Sequence, residues 1–161
     1  MKALILFRSF YGNTKGVAET MATAITALGH EAVVLDLRMR LPDLAGFDCA
    51  FVGAPTRMAR ASGKAVRVLK RLGKRGFAGK PVAIFDTYGP VPTKPEELEK
   101  ARRWLTPGAA GIMEKAAKDS GLRVFTKVLR CEVGAMRGPL KDGEQQRAAE
   151  FAREFLSGAR A

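Results

Sequence analysis

The first residues equipped for chemistry stand together at positions 9 to 14, Ser-Phe-Tyr-Gly-Asn-Thr. Ser9, Tyr11 and Thr14 carry hydroxyl donors and Asn13 an amide, while Gly12 leaves the backbone free to take a left-handed conformation. Such a set suits an oxyanion, phosphate above all, if it lies where backbone N–H groups point outward together. The flanking sequence predicts that placement. Ala3 to Phe7 is an unbroken apolar run of strand length, the pattern of a strand buried on both faces of a parallel sheet. After the turn, Val17, Met21, Ile25 and Leu28 recur at helical spacing and Gly29 ends the pattern. The turn is therefore expected between the carboxyl end of a strand and the positive end of a helix dipole. A capped strand-to-helix turn without a ligand uses the same residue types, because Ser, Asn and Thr are good N-caps.

Missing motifs narrow the choice. No lysine follows in the G-x-x-x-x-G-K-[ST] spacing of nucleoside triphosphatases, and no G-x-G-x-x-G marks a dinucleotide site. Further strands are predicted at 32–37, 49–54, 82–86 and 122–131, with helices at 64–74, 95–105, about 109–118 and 142–156. Strands alternating with helices, with no repeat or linker, predict a single domain over 1–161. Its fold class is α/β, a three-layer α/β/α sandwich around a five-stranded parallel sheet, and the doubly wound order taken for a sheet of this size is 2-1-3-4-5. Such sheets bind ligands outside the carboxyl ends of their strands, beside the point where strand order reverses. The turns that matter are then those after strands one, three and four.

The second of these turns begins Gly53-Ala54-Pro55-Thr56-Arg57-Met58, and the third is Asp86-Thr87-Tyr88-Gly89-Pro90. Pro55 fixes local geometry, Thr56 is placed to meet the polar edge of a planar ring, and Tyr88 offers a face for stacking. Ser9, Gly12 and Thr14 match the [ST]-x-T-G-x-T phosphate loop of flavodoxins, with Tyr11 where threonine is commoner. G-x-P-T-R resembles the ring-binding loop of flavodoxin-fold quinone reductases. By element order the resemblance to the flavodoxin superfamily covers nearly the whole chain. It implies FMN as cofactor, with Ser9, Tyr11, Gly12, Asn13 and Thr14 on the phosphate. Pro55, Thr56, Arg57 and Met58 are then expected on one side of the ring, and Thr87, Tyr88 and Gly89 on the other. The implied function is an electron-transfer flavoprotein shuttling electrons between redox partners, the alternative being an FMN-dependent NAD(P)H:quinone oxidoreductase. A signalling receiver domain needs an acidic cluster after strand one, where this chain has Phe7-Arg8; a flavin-free anion-binding module stays open. The loop Met58-Ala59-Arg60 has no glycine before Gly63, so a left-handed conformation there is expected to cost about 1–2 kcal/mol. That cost argues against a backbone flip toward the flavin and for reduction mainly by electron pairs.

Charge and composition bear on partners. The chain has 28 Lys and Arg against 16 Asp and Glu, a net charge of +12, which predicts anionic partners or surfaces. Between Arg57 and Lys80 nine cations occur without one acidic residue. Starting at the expected flavin, this stretch reads as a docking face for an acidic redox partner near Arg57, Arg60, Lys64 and Arg67, or as a solvated face. Nucleic acid is disfavoured, since only Phe77 interleaves with the cations and stacking needs more aromatics. Cys49 and Cys131 lie too far apart for a metal or redox pair, and one histidine, His30, builds neither a metal cluster nor a triad. No apolar run is of membrane-spanning length and the N-terminal run lacks a signal peptide's length and cleavage site, so a cytoplasmic location is expected. Cys131 ends strand five near the ligand edge, either as an exposed thiol or buried and inert. Trp104 is expected in the core or at a dimer contact, away from the cofactor, which leaves self-association open.

Overall fold

In the computed structural model, which describes residues 1–160, apolar runs form strands and amphipathic stretches form helices that cover them. The strands are β1 (Lys2–Phe7), β2 (Glu31–Asp36), β3 (Cys49–Pro55), β4 (Pro81–Tyr88) and β5 (Arg123–Glu132). They pair in parallel in the order β2-β1-β3-β4-β5. The helices are α1 (Asn13–Ala27), α2 (Gly63–Lys74), α3 (Pro95–Leu105), α4 (Gly108–Asp119) and α5 (Glu144–Ala159). The fold class is thus the expected doubly wound sandwich.

Two cores follow from strand alternation. Ile5, Phe51 and Phe85 face α1 and α5, where Val17, Met21, Phe151 and Phe155 cover them. Leu4, Leu6, Val52 and Ile84 face α2 and α4, against Val68, Leu69, Leu72 and Met113. Both thiols are fully buried, so Cys131 is not an exposed group at the ligand edge. Burial pushes each of them up to about 12. No helix of the described residues is long and apolar enough to cross a membrane.

One boundary changes the reading of the site. β4 runs to Tyr88, so Thr87 and Tyr88 are strand residues, where the sequence placed a turn from Asp86 onward. They stay in the sheet because both neighbours pair with them: Pro55 with Thr87, then Cys131 with Thr87 and Glu132 with Tyr88. Partners on both sides outweigh the weak strand preference of a lone aspartate.

Candidate functional site

The order reversal between β1 and β3 puts three loops at one carboxyl edge, and they enclose a cleft of about 410 Å³. Ser9, Tyr11, Asn13 and Thr14 line it from the first loop, Pro55 from the end of β3 with Thr56, Arg57 and Met58 from the loop after it, and Thr87 and Tyr88 from β4 with Gly89 just beyond. Gly12 lies just behind this wall, at φ 91°, as the residue that opens α1. A side chain is disfavoured in that conformation, which accounts for glycine here.

The first loop gathers uncommitted donors at the start of α1. The Gly12 amide donates to Ser9 Oγ (3.1 Å), which leaves the serine proton free to donate outward. Gly16 makes the first helical bond of α1, to the Gly12 carbonyl (2.9 Å), so the amides of Asn13, Thr14 and Lys15 begin the helix without a backbone acceptor. No acidic residue occupies that first turn. Thr14 is buried and its hydroxyl lies 2.8 Å from that of Thr87. With Thr87 as donor, the Thr14 proton is free for a ligand.

The opposite wall rests on a buried ion pair that the sequence did not reveal. Asp86, at 0% exposure, accepts from Arg130 Nε (3.0 Å) and Nη2 (2.9 Å) on neighbouring β5. It also accepts from the Thr56 hydroxyl (2.9 Å) and the Ala110 amide (3.1 Å). Thr56 Oγ1 in turn accepts from the Ala109 amide (2.8 Å), and the Thr56 amide donates to the Thr87 carbonyl (2.8 Å). Thr56 lines the cleft as expected of a wall residue, with its polar groups already bonded within the protein. Its hydroxyl and amide are committed to fixing β3, β4 and the start of α4 to one another. Gly108 completes the joint: its φ is 63°, and a Cβ there would come within 2.3 Å of Arg130 Nη2. The Arg130 guanidinium also lies 4.5 Å from the centre of the Tyr88 ring. Burial pushes the Tyr88 phenol up, with the Glu132 carboxylate adding to the shift, so it stays a neutral donor.

The second loop departs from expectation in its backbone. Met58 and Ala59 have φ of 49° and 65°. Arg57 and Arg60 close the turn by donating to each other's carbonyls at 3.0 and 2.9 Å. This is a two-residue hairpin of the mirror-image type, in which Asn-Gly is usual. A one-residue preference was a poor guide here, because two backbone bonds at about 0.5–1.5 kcal/mol each offset the strain. With the left-handed form already adopted, the case for reduction by electron pairs loses its basis. Ala59→Gly is expected to stabilise the protein by about 0.5–1 kcal/mol, the strain relieved less the extra freedom of the unfolded chain. A urea midpoint measures this, and a lower midpoint for the variant would contradict the turn geometry.

Exposed apolar groups crowd the mouth. Met58 is 94% exposed, and Phe10 lies between the guanidiniums of Arg8 and Arg57 at 4.1 and 3.8 Å from its ring centre. Arg57 itself is exposed, so water screens its charge. Trp104, at the end of α3, lines the cleft with Val133 and Met136 from the segment after β5. It is neither core nor remote from the site, in correction of the sequence reading. The interruption at Pro107-Gly108 turns the end of α3 back over the strand ends. A tryptophan in so polar a helix was the one available signal.

This arrangement, a 2-1-3-4-5 parallel sheet with its cleft at the reversal point, defines a flavodoxin-like α/β protein. The family model described as Flavodoxin domain matches residues 4–138, and the chain belongs to that family. Solved structures agree in fold. An archaeal flavodoxin shares 21% identity over 100% of both chains with a TM-score of 0.78. Oxidised Flavodoxin 1 from Bacillus cereus shares 20% over 98% of both, with a TM-score of 0.72. The flavodiiron core of Flv1 from Synechocystis shares 16% over 99% of this chain and 36% of its own, with a TM-score of 0.75. No curated protein matches the sequence.

Proposed function

We propose that this protein binds FMN in the cleft and carries electrons between partner proteins. The observation that carries the reading is one continuous cleft, with unpaired helix-start amides and hydroxyls at one end and Tyr88, Trp104 and Pro55 at the other. FMN fits this division, because its phosphate needs the first end and its ring the second. The bound flavin supplies the redox chemistry; the chain supplies orientation, exclusion of water and electrostatics.

In this reading Ser9, Tyr11, Asn13 and Thr14 hold the phosphate around the Gly12 bend. Pro55, Arg57 and Met58 border the ring from the β3 side, while Thr87, Tyr88 and Gly89 border it from the end of β4 and the residue after it. Thr56 contributes by fixing the walls, and Trp104 adds an aromatic surface. Arg57 lines this cleft, and Arg60, Lys64 and Arg67, exposed, follow it along the chain; together they make an acidic protein the fitting redox partner. The quinone-reductase alternative is weakened, since the Thr56 of its G-x-P-T-R signature has no free donor.

Phosphate recognition gives the test. FMN is expected to bind at least about tenfold more tightly than riboflavin, since hydrogen bonds to a charged group contribute about 1.5–3 kcal/mol each. Joint replacement Ser9→Ala and Thr14→Ala is expected to remove most of that preference in an equilibrium titration. Equal affinity for the two flavins in the unaltered protein would overturn the phosphate assignment.

A further inference from the structure

We infer that a second groove, apart from the cofactor cleft, docks an acidic segment of the partner through one apolar anchor residue flanked by carboxylates. The groove runs between α2 and the segment after β2. Its apolar part is Leu37, Met39, Leu41 and Val68, and its cationic wall is Lys64, Arg67 and Arg71. Met39 is 62% exposed although it is a large apolar side chain with this groove beside it.

Charge selects the occupant. Among the described residues, none of Lys64, Arg67, Lys70, Arg71, Lys74 and Arg75 lies within 4.0 Å of a carboxylate, and no acidic residue interrupts them in the sequence. The acidic residue nearest in sequence on the β2 side, Asp36, is engaged by Arg38 at 2.7 Å. An unneutralised row of cations along an apolar floor complements a chain that alternates carboxylates with an apolar side chain. Nucleic acid fits less well, because the one aromatic of the stretch, Phe77, is fully buried and offers no stacking face. A membrane surface fits less well too, since the apolar face of α2 is spent on the sheet through Ala65, Leu69 and Leu72.

Position joins the groove to the function. Leu37 follows the carboxyl end of β2 and Lys64 opens α2 after the loop that follows β3, so the groove starts at the same edge of the sheet as the cleft. A segment held there brings its parent protein alongside the cofactor mouth. The inference deepens the reading of an acidic redox partner and rests on it for the partner's role alone.

The probe is a labelled peptide with a central leucine between two runs of three glutamates, titrated by fluorescence anisotropy at low ionic strength. Binding is expected, weakening as salt shortens the Debye length from about 30 to 8 Å. Serine in place of the leucine, or Met39→Ser in the protein, is expected to lower affinity about threefold to fivefold for loss of one buried apolar contact. Arg67→Glu with Arg71→Glu is expected to lower it at least about tenfold. The control pair Arg123→Glu with Arg153→Glu makes the same change in net charge on β5 and α5 and is expected to have a much smaller effect. No binding, equal affinity for the leucine and serine peptides, equal loss in the control pair, or tighter binding of a single-stranded oligonucleotide of equal charge would each overturn the inference. FMN binding is measured in the same preparations. In the unaltered protein, absence of peptide binding with intact FMN binding refutes the groove alone, and the converse refutes the cofactor reading alone.

Discussion

Replacing Arg130 by methionine is expected to destabilise the fold by about 3 kcal/mol, the lower end of the range for breaking a buried ion pair. The lower end applies because Asp86 keeps two other donors, the Thr56 hydroxyl and the Ala110 amide. The penalty arises from a carboxylate at 0% exposure left without a counter-charge. Neutralising both partners, Asp86→Asn with Arg130→Met, is expected to recover more than half of the loss, since two neutral groups need little solvation. A double-mutant cycle in urea measures this, and additive losses would contradict a direct pairing. The same substitution loosens the site. Arg130 also donates to the Leu105 carbonyl beside Trp104, stacks on Tyr88, and shares Asp86 with Thr56. Three parts of the cleft wall therefore depend on one guanidinium.

The second large effect is alkaline. Burial holds the Cys49 and Cys131 thiols up at about 12 in the native protein, against 9.0 for an ordinary thiol. The unfolded chain therefore loses these protons first, and stability present below pH 9 is lost as pH rises toward 12. At pH 10.5 each thiol removes about 2 kcal/mol by this linkage, or about 4 kcal/mol for the pair. Lysines and tyrosines titrate in the same range, so the readout is the difference in slope between the unaltered protein and Cys49→Ala with Cys131→Ala. A clearly flatter fall of stability from pH 9 to 10.5 is expected for the variant. Identical slopes would contradict the burial of the thiols. Neither thiol is expected to react with a thiol reagent at pH 8 without unfolding.

What could be read in the sequence was local. β1, the turn at 9–14 and α1 are contiguous, and apolar period, hydroxyls and glycine all point to one structure there. The layered parallel sheet followed from strand and helix alternation, while its strand order was implied by the resemblance of the loops to flavodoxins. What was hidden was mostly non-local. Arg130 lies 44 residues from Asp86, and only adjacency of β4 and β5 makes the two meet. Without that pair Thr56 looked available to a ligand, although its hydroxyl closes the joint with α4. Trp104 was hidden for a related reason: no local pattern tells that the end of α3 returns to the strand ends. The loop at 57–60 was local yet misjudged, because the two cross-turn bonds between Arg57 and Arg60 were left out of the balance.

The central claim is that FMN occupies the cleft at the carboxyl edge of the sheet. Trp104 is the single tryptophan of the chain and lines that cleft, so its emission reports from the site. Titration of the cofactor-free protein with FMN is expected to quench Trp104 emission in a saturable manner, with a Kd below about 1 mM, the affinity that corresponds to about 4 kcal/mol. Emission that shows no saturable change up to that concentration would contradict it.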